Sequence, residues 1–143
     1  MDHSTTPADR HHLSLIVVTP EATVLEASAE FVALPLFDGE IGIAPLHSAM
    51  IGRLGYGEMR VTHDGRVERY YLDGGFVQVV DNVVSVLTGR ALPAATLSAS
   101  SAAEQLAEAR RRPSNTPELM SLRDRAEQQA RAQLHVARHA GAV

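Results

Sequence analysis

The sequence predicts an α+β protein: an N-terminal antiparallel β-sandwich of about ten short strands, followed by a C-terminal antiparallel two-helix hairpin. Three observations carry this. Short β-branched runs, separated by turn residues, fill residues 13–90. Near Pro93 the composition shifts to Ala, Arg, Glu and Gln. Beyond that point, Pro113-Ser114-Asn115-Thr116-Pro117 interrupts an otherwise helical pattern. The expected organisation is a disordered N-terminal arm over 1–12, a sandwich over 13–92 and a hairpin over 93–143.

The strands come first. Leu13 to Val18 opens with alternation and becomes wholly apolar. Phe31 to Leu36, Tyr70 to Leu72, Val77 to Val80 and Val83 to Leu87 follow. All are rich in residues that fit a pleated, half-buried surface. Asp64-Gly65 between two alternating runs is the favoured chemistry for a two-residue hairpin, and Asp81-Asn82 suits a second. Asp38-Gly39 and Asp73-Gly74-Gly75 mark further turns. Many short strands in some eighty residues point to a sandwich or barrel.

The helices follow. Ser101-Ala102-Ala103-Glu104 fits a capping box, with Ala99, Ala102, Ala103, Leu106 and Ala109 at helical spacing. Thr116 is a natural N-cap for a second helix over about Pro117 to His139, with Pro117 at its first position and Glu118 beside its positive end. Its expected apolar stripe is Leu119, Leu122, Ala126, Ala130, Leu134 and Ala137. Large apolar residues are few (Leu106, Leu119, Met120, Leu122, Leu134) and alanine fills most of the rest. Burying a Leu or Met contributes roughly 1.5–3 kcal/mol and an alanine much less. The hairpin is therefore expected to dock weakly on the sandwich.

Composition narrows the function. The chain has 143 residues, no cysteine and a net charge of −4. Disulfides and thiolate metal sites are excluded. No apolar run approaches the roughly 18 residues of a membrane span. The polar N-terminus does not read as a secretory signal. Residues 1–97 carry six arginines against twelve carboxylates, residues 98–143 seven against five. The acidic half argues against nucleic acid, and the basic tail suits an acidic protein surface. No Walker phosphate loop, Gly-x-Ser-x-Gly elbow or His-Glu-x-x-His motif is present. Gly52 to Gly57 does not open a helix and reads poorly as a dinucleotide loop. His47 and His63 stand isolated. His135 and His139 are four apart on a helix, a valid two-ligand spacing, but no third ligand lies near in sequence. No catalytic residue, metal or cofactor is expected.

The stretch from Asp38 to Ala49 reads Asp-Gly-Glu-Ile-Gly-Ile-Ala-Pro-Leu-His-Ser-Ala. It closely resembles the Gly-Glu-x-Gly-Ile-x-Pro-x-His-Ala signature of the epsilon subunits of F-type ATP synthases, with Ser48 where alanine is common. Val17 to Leu25 resembles the family's opening strand and turn, and Tyr71 to Leu87 its Gly-Gly-Phe hairpin. With the helical tail, the resemblance covers about residues 13–139. It implies a non-catalytic central-stalk subunit. Such a subunit binds the gamma subunit and the membrane rotor ring, and couples proton flow to ATP synthesis from the cytoplasmic face of a bacterial inner membrane. By motif, Glu40 and His47 fall where the sandwich faces the ring and gamma. Gly39, Gly42, Gly74 and Gly75 are read as backbone geometry. The family's hairpin can extend and reach an acidic loop of the catalytic beta subunits, obstructing hydrolysis. Arg110, Arg111, Arg112, Arg123, Arg125 and Arg131 are the candidates for that contact.

One stretch departs from the family. Where some relatives bind ATP through an Ile/Leu-Asp-x-x-Arg-Ala motif, this chain has Leu97-Ser98-Ala99-Ser100-Ser101-Ala102. Ser98 replaces the acid and Ser101 the arginine, so nucleotide binding is expected to be weak or absent. An alternative reading on the same fold is an adaptor whose hairpin binds some other acidic protein.

Overall fold

The computed structural model describes residues 10–141. Most of the proposed arm, residues 1–9, lies outside them. Eight strands run β1 (Leu13–Val18), β2 (Thr23–Ala29), β3 (Phe31–Leu36), β4 (Gly39–Ile43), β5 (Met50–His63), β6 (Arg66–Val80), β7 (Val83–Leu87) and β8 (Ala91–Pro93). A 3-10 turn at Ala94–Thr96 leads to α1 (Ala99–Arg110) and α2 (Pro117–Gly141).

The strands form one continuous sheet in the order β2-β1-β7-β6-β5-β3-β4, with β8 added on β6. It folds over into two layers because β5 and β6, at 14 and 15 residues, belong to both. Leu13, Leu15, Val17, Val77, Val79, Val84 and Val86 face inward from one layer. Val32, Leu34, Ile43, Met59, Val61 and Leu72 face them from the other, all buried in one core. Every pairing is antiparallel except β1 with β7, which run parallel. A parallel pair needs a long crossover, and the intervening strands supply it.

The strand count is eight rather than about ten, in part because one expected turn is no turn. Asp73-Gly74-Gly75 lies inside β6, and the ladder to β5 continues through it, with Leu54 opposite Gly75 and Tyr56 opposite Asp73. Gly74 (φ 72°) and Gly75 (φ 111°) bend the strand from one layer into the other. A Cβ at Gly75 would sit 1.8 Å from the Leu87 carbonyl oxygen, so only glycine fits. The other turns fall where the dipeptides placed them. Asp64 and Gly65 have φ 50° and 75°, and Asp81 and Asn82 have 49° and 62°. Positive φ at both central residues is the signature of the type I′ hairpin turn.

The first helix starts one turn earlier than its expected capping box. Ser98 is the N-cap, its Oγ accepting the Ser101 N–H at 3.2 Å. Ser101 is thereby drawn into the helix as its third residue. Ala102, Leu106 and Ala109 form its buried stripe. Thr116 caps α2 through its Oγ1, which accepts the Leu119 N–H at 3.1 Å.

The stripe of α2 differs from the expected one at both ends. Leu122 and Met120 are exposed, whereas Val136 is fully buried with Ala130, Ala137 and Gln133. The reason is geometric. Helix α1 is about half the length of α2, so the first half of α2 has only α1 as a neighbour. The second half lies on the sheet, where Val136 packs with Tyr71, Ala94, Tyr56, Leu97 and Ala140. The contact is small, in keeping with the alanine-rich stripe.

A candidate docking surface on the sandwich

The two outer faces of the folded sheet have different chemistry. In the β1-β7-β6-β5 layer, cross-strand partners share a face. Phe76 pairs Leu87 and Arg53, Val80 pairs Val83, and Gln78 pairs Ser85 and Ile51. Across β7, Leu87 and Ser85 pair Val18 and Ile16. This face is mostly apolar, broken by Ser14, Gln78, Ser85 and its one charge along those four strands, Arg53, and it is bare. Ile51 is 78% exposed, Phe76 59% and Leu87 55%. Phe37, 66% exposed, extends it at one corner, where the Arg53 guanidinium lies 5.5 Å from its ring centre. Large exposed apolar side chains gathered on one face are the pattern expected of a surface that meets a partner. The signal was present in the sequence. Leu15 to Val18 is apolar at both parities, and Val83 to Leu87 is so except at Ser85, the pattern of strands covered on both faces.

The opposite outer face, on the β8-β6-β5-β3-β4 layer, is polar and carries the hairpin. Asp73, expected as a turn residue, is its anchor. Its carboxylate accepts from the Tyr71 hydroxyl at 2.7 Å and from Gln129 Nε2 on α2 at 3.0 Å, and faces Arg90 Nε at 3.3 Å. Burial and the Asp73 hydrogen bond raise the Tyr71 hydroxyl well above its usual range, so it stays a donor. Beside it, Glu58 is buried and receives Arg60 at 3.3 Å and Arg69 at 2.8 Å.

Glu40 belongs to this polar face. Its two carboxylate oxygens accept from the two terminal nitrogens of Arg60, at 2.6 and 3.2 Å. The Arg60 hydrogen bond holds the Glu40 carboxyl below the usual carboxylate range. His47 lies in the loop after β4, which closes on backbone. Its Nδ1 is 2.7 Å from the Ser48 carbonyl, and its N–H donates to the Ala44 carbonyl. Leu46 beside it adopts φ 67°, held by its N–H on Asn82 Oδ1 at 2.6 Å. Nothing in the residue type announced that conformation; the tertiary bond to the β6–β7 turn selects it. Gly42 is free of a side chain because the Phe31 ring covers it, with Cζ 2.5 Å from a built Cβ.

The hairpin arginines divide into two groups. Glu127 gathers Arg131 at 2.6 Å and Arg110 at 3.6 Å, tying α1 to α2. Arg123 lies 3.4 Å from Asp124. Arg111, Arg112 and Arg125 make no ion pair among the described residues and are exposed. Of the histidines, His63 lies with Asp64 and Glu30, their ligand-type atoms within 4.8 Å of one another. Both Glu30 oxygens there accept the Asp64 N–H, which makes Glu30 a brace for the turn. His135 and His139 meet edge-on, ring centres 4.3 Å apart. Ser98 is occupied as the α1 cap.

The class that the architecture defines is structural: a small β-sandwich with one bare, largely apolar outer face and the other covered by a helical hairpin. The family model of the ATP synthase Delta/Epsilon chain β-sandwich domain matches residues 12–94. The ATP synthase epsilon chain of Rhodopirellula baltica is 52% identical over 123 residues, covering 86% of this chain and 96% of that one. The epsilon chain of Desulfitobacterium hafniense strain DCB-2 is 48% identical over 80 residues, 56% of this chain and 61% of its own. Among solved structures, a chain of the Euglena gracilis mitochondrial ATP synthase superposes with a TM-score of 0.76 at 21% identity, covering 100% of this chain and 89% of that one. One from the central stalk and c-ring of the Tetrahymena thermophila enzyme gives 0.69 at 14%, over 87% and 96%. At those identities the likeness concerns the fold. The chain belongs to the ATP synthase epsilon chain family, and so is a non-catalytic subunit of that enzyme. No helix among the described residues is long and apolar enough to cross a membrane.

Proposed function

We propose that the chain sits on the central stalk at the cytoplasmic face of a bacterial inner membrane, its bare apolar sheet seated on the gamma subunit. The observation that carries this is the uncovered face of β1, β7, β6 and β5. Left in water, its exposed Ile51, Phe76, Val83 and Leu87 forgo roughly 25 cal/mol for each Å² a partner would cover. The loop end around His47 and the Glu40–Arg60 pair are the contacts offered to the rotor ring and gamma. The chain in this role couples proton flow through the ring to ATP synthesis in the head. The hairpin is a brake on hydrolysis, with Arg111, Arg112 and Arg125 the cations free to meet an acidic surface of the catalytic beta subunits. Arg110, Arg123 and Arg131 must first leave Glu127 and Asp124.

The test adds this chain back to its cognate catalytic head lacking epsilon. Full-length protein is expected to bind and to slow ATP hydrolysis. Phe76→Glu, which places a charge at the centre of the apolar face, is expected to lower affinity at least about 100-fold while the isolated subunit stays folded. Unchanged binding by that variant would overturn the seating on gamma. A chain ending at Leu97 should bind without inhibiting, and inhibition by it would remove the brake from the hairpin.

A further inference from the structure

The buried face beneath α2 contains one polar atom whose partner is unsettled. Glu58 is 7% exposed, and its Oε1 takes both guanidinium contacts, from Arg60 and Arg69. Its Oε2 is buried with no hydrogen-bond partner among the described residues. A buried carboxylate oxygen left without a donor is costly. A candidate donor is His139 Nδ1, at 3.7 Å, in the last turn of α2. Neutral imidazole offers that oxygen at most a long contact, whereas imidazolium offers a charge and a second N–H.

We propose that Glu58 and His139 form a proton-operated latch that tightens the hairpin on the sandwich as pH falls. The surroundings set the sign. From β5 the site is faced by Glu58 and Arg60, and from β6 by Glu68, Arg69 and Tyr70, whose hydroxyl donates to Glu68 at 2.9 Å. On α2 itself lie His135, edge-on to His139, and Arg138. Arg60 and Arg69 are committed, Arg60 to Glu40 and Glu58 and Arg69 to Glu58. Burial and Glu68 push the Tyr70 hydroxyl up to about 12, so it stays neutral across the relevant range. The C-terminal end of a helix favours a cation. His139 is half exposed, so a proton reaches it without the hairpin opening. The latch closes on protonation and loosens on deprotonation.

Amide hydrogen exchange on the full chain tests it, with rates corrected for the intrinsic pH dependence of exchange. Opening of residues 129–140 is expected to be roughly three- to five-fold rarer at about pH 6 than at about pH 8, the size of a good partly exposed ion pair. The sandwich core should not change. His139→Gln, at an exposed helix end, is expected to fold and to lose the pH dependence. His135→Gln should keep it, and Glu58→Gln should lose it. Equal opening of the parent chain at both pH values overturns the latch. So does a dependence that survives His139→Gln or vanishes in His135→Gln.

Discussion

Gly75 is the residue at which the backbone leaves least room. A methyl group there meets the Leu87 carbonyl oxygen at 1.8 Å, and its φ of 111° is one side chains rarely adopt. Gly75→Ala is expected to cost about 3 kcal/mol or more, measured by denaturant unfolding. Gly65→Ala, with φ 75° but open space around it, should cost only about 1–2 kcal/mol. Equal costs would mean that the layer crossing at Gly75 is not as tight as the Leu87 contact makes it. Glu40 offers a gentler test. Its carboxyl is lowered from 4.5 by the Arg60 fork. The pair's contribution is therefore complete above about pH 4.5 and is lost as the pH falls through the lower folded value. Because Glu40 is half exposed, Glu40→Gln should cost no more than about 1 kcal/mol at neutral pH. The difference from the parent should vanish in acid and shrink in salt. A loss undiminished at low pH would show that the charge is not its source.

At the scale of elements, the hairpin sets few large apolar side chains against the sheet, and is expected to be the part held least firmly. Among the described residues Val136 is the one fully buried branched apolar side chain that α2 sets against the sheet, among alanines, the buried Gln133 and the Asp73–Gln129 bond. Val136→Ala removes two methylene equivalents and should cost about 1.5–3 kcal/mol of docking. Hydrogen exchange should show α2 opening more often while the β-core keeps its protection; loss of protection throughout would mean that the two parts unfold as one. The small apolar content of that contact was legible in the sequence as an alanine-rich stripe. Its location was not: periodicity finds Leu122 and Ala130 equally well. Only the unequal lengths of α1 and α2 decide which half of the longer helix meets the sheet. The type I′ turns were legible because Asp-Gly and Asp-Asn tolerate positive φ locally. Leu46 was not, because a bond from Asn82 36 residues away holds it.

For the whole molecule, the end of the sandwich matters to any dissection. β8 spans Ala91–Pro93 and pairs Leu92 with Tyr71, and Ala94 packs behind it. A cut after Ala91 therefore removes most of a strand, while one after Leu97 spares it. The shorter chain is expected to unfold at lower denaturant than the longer one, and equal midpoints would show that β8 adds nothing. Isothermal calorimetry with ATP should give a dissociation constant of about a millimolar or weaker, because Ser98 and Ser101 carry neither the acid nor the guanidinium of the family motif. Micromolar binding would refute that.

What the sequence by itself determined is what local chemistry determines. Turn dipeptides, β-branched runs, the shift at Pro93 and the motif around Gly39 to His47 were enough for the sandwich, the hairpin and the family. What only the tertiary structure decided is which surfaces face each other. Whether Asp73 ends a strand or anchors a helix depends on distant contacts. So does whether Glu40 stands free or grips Arg60, and whether Val83 and Leu87 of β7 are covered. Pairwise spacing along the chain cannot report on contacts made between residues far apart in sequence.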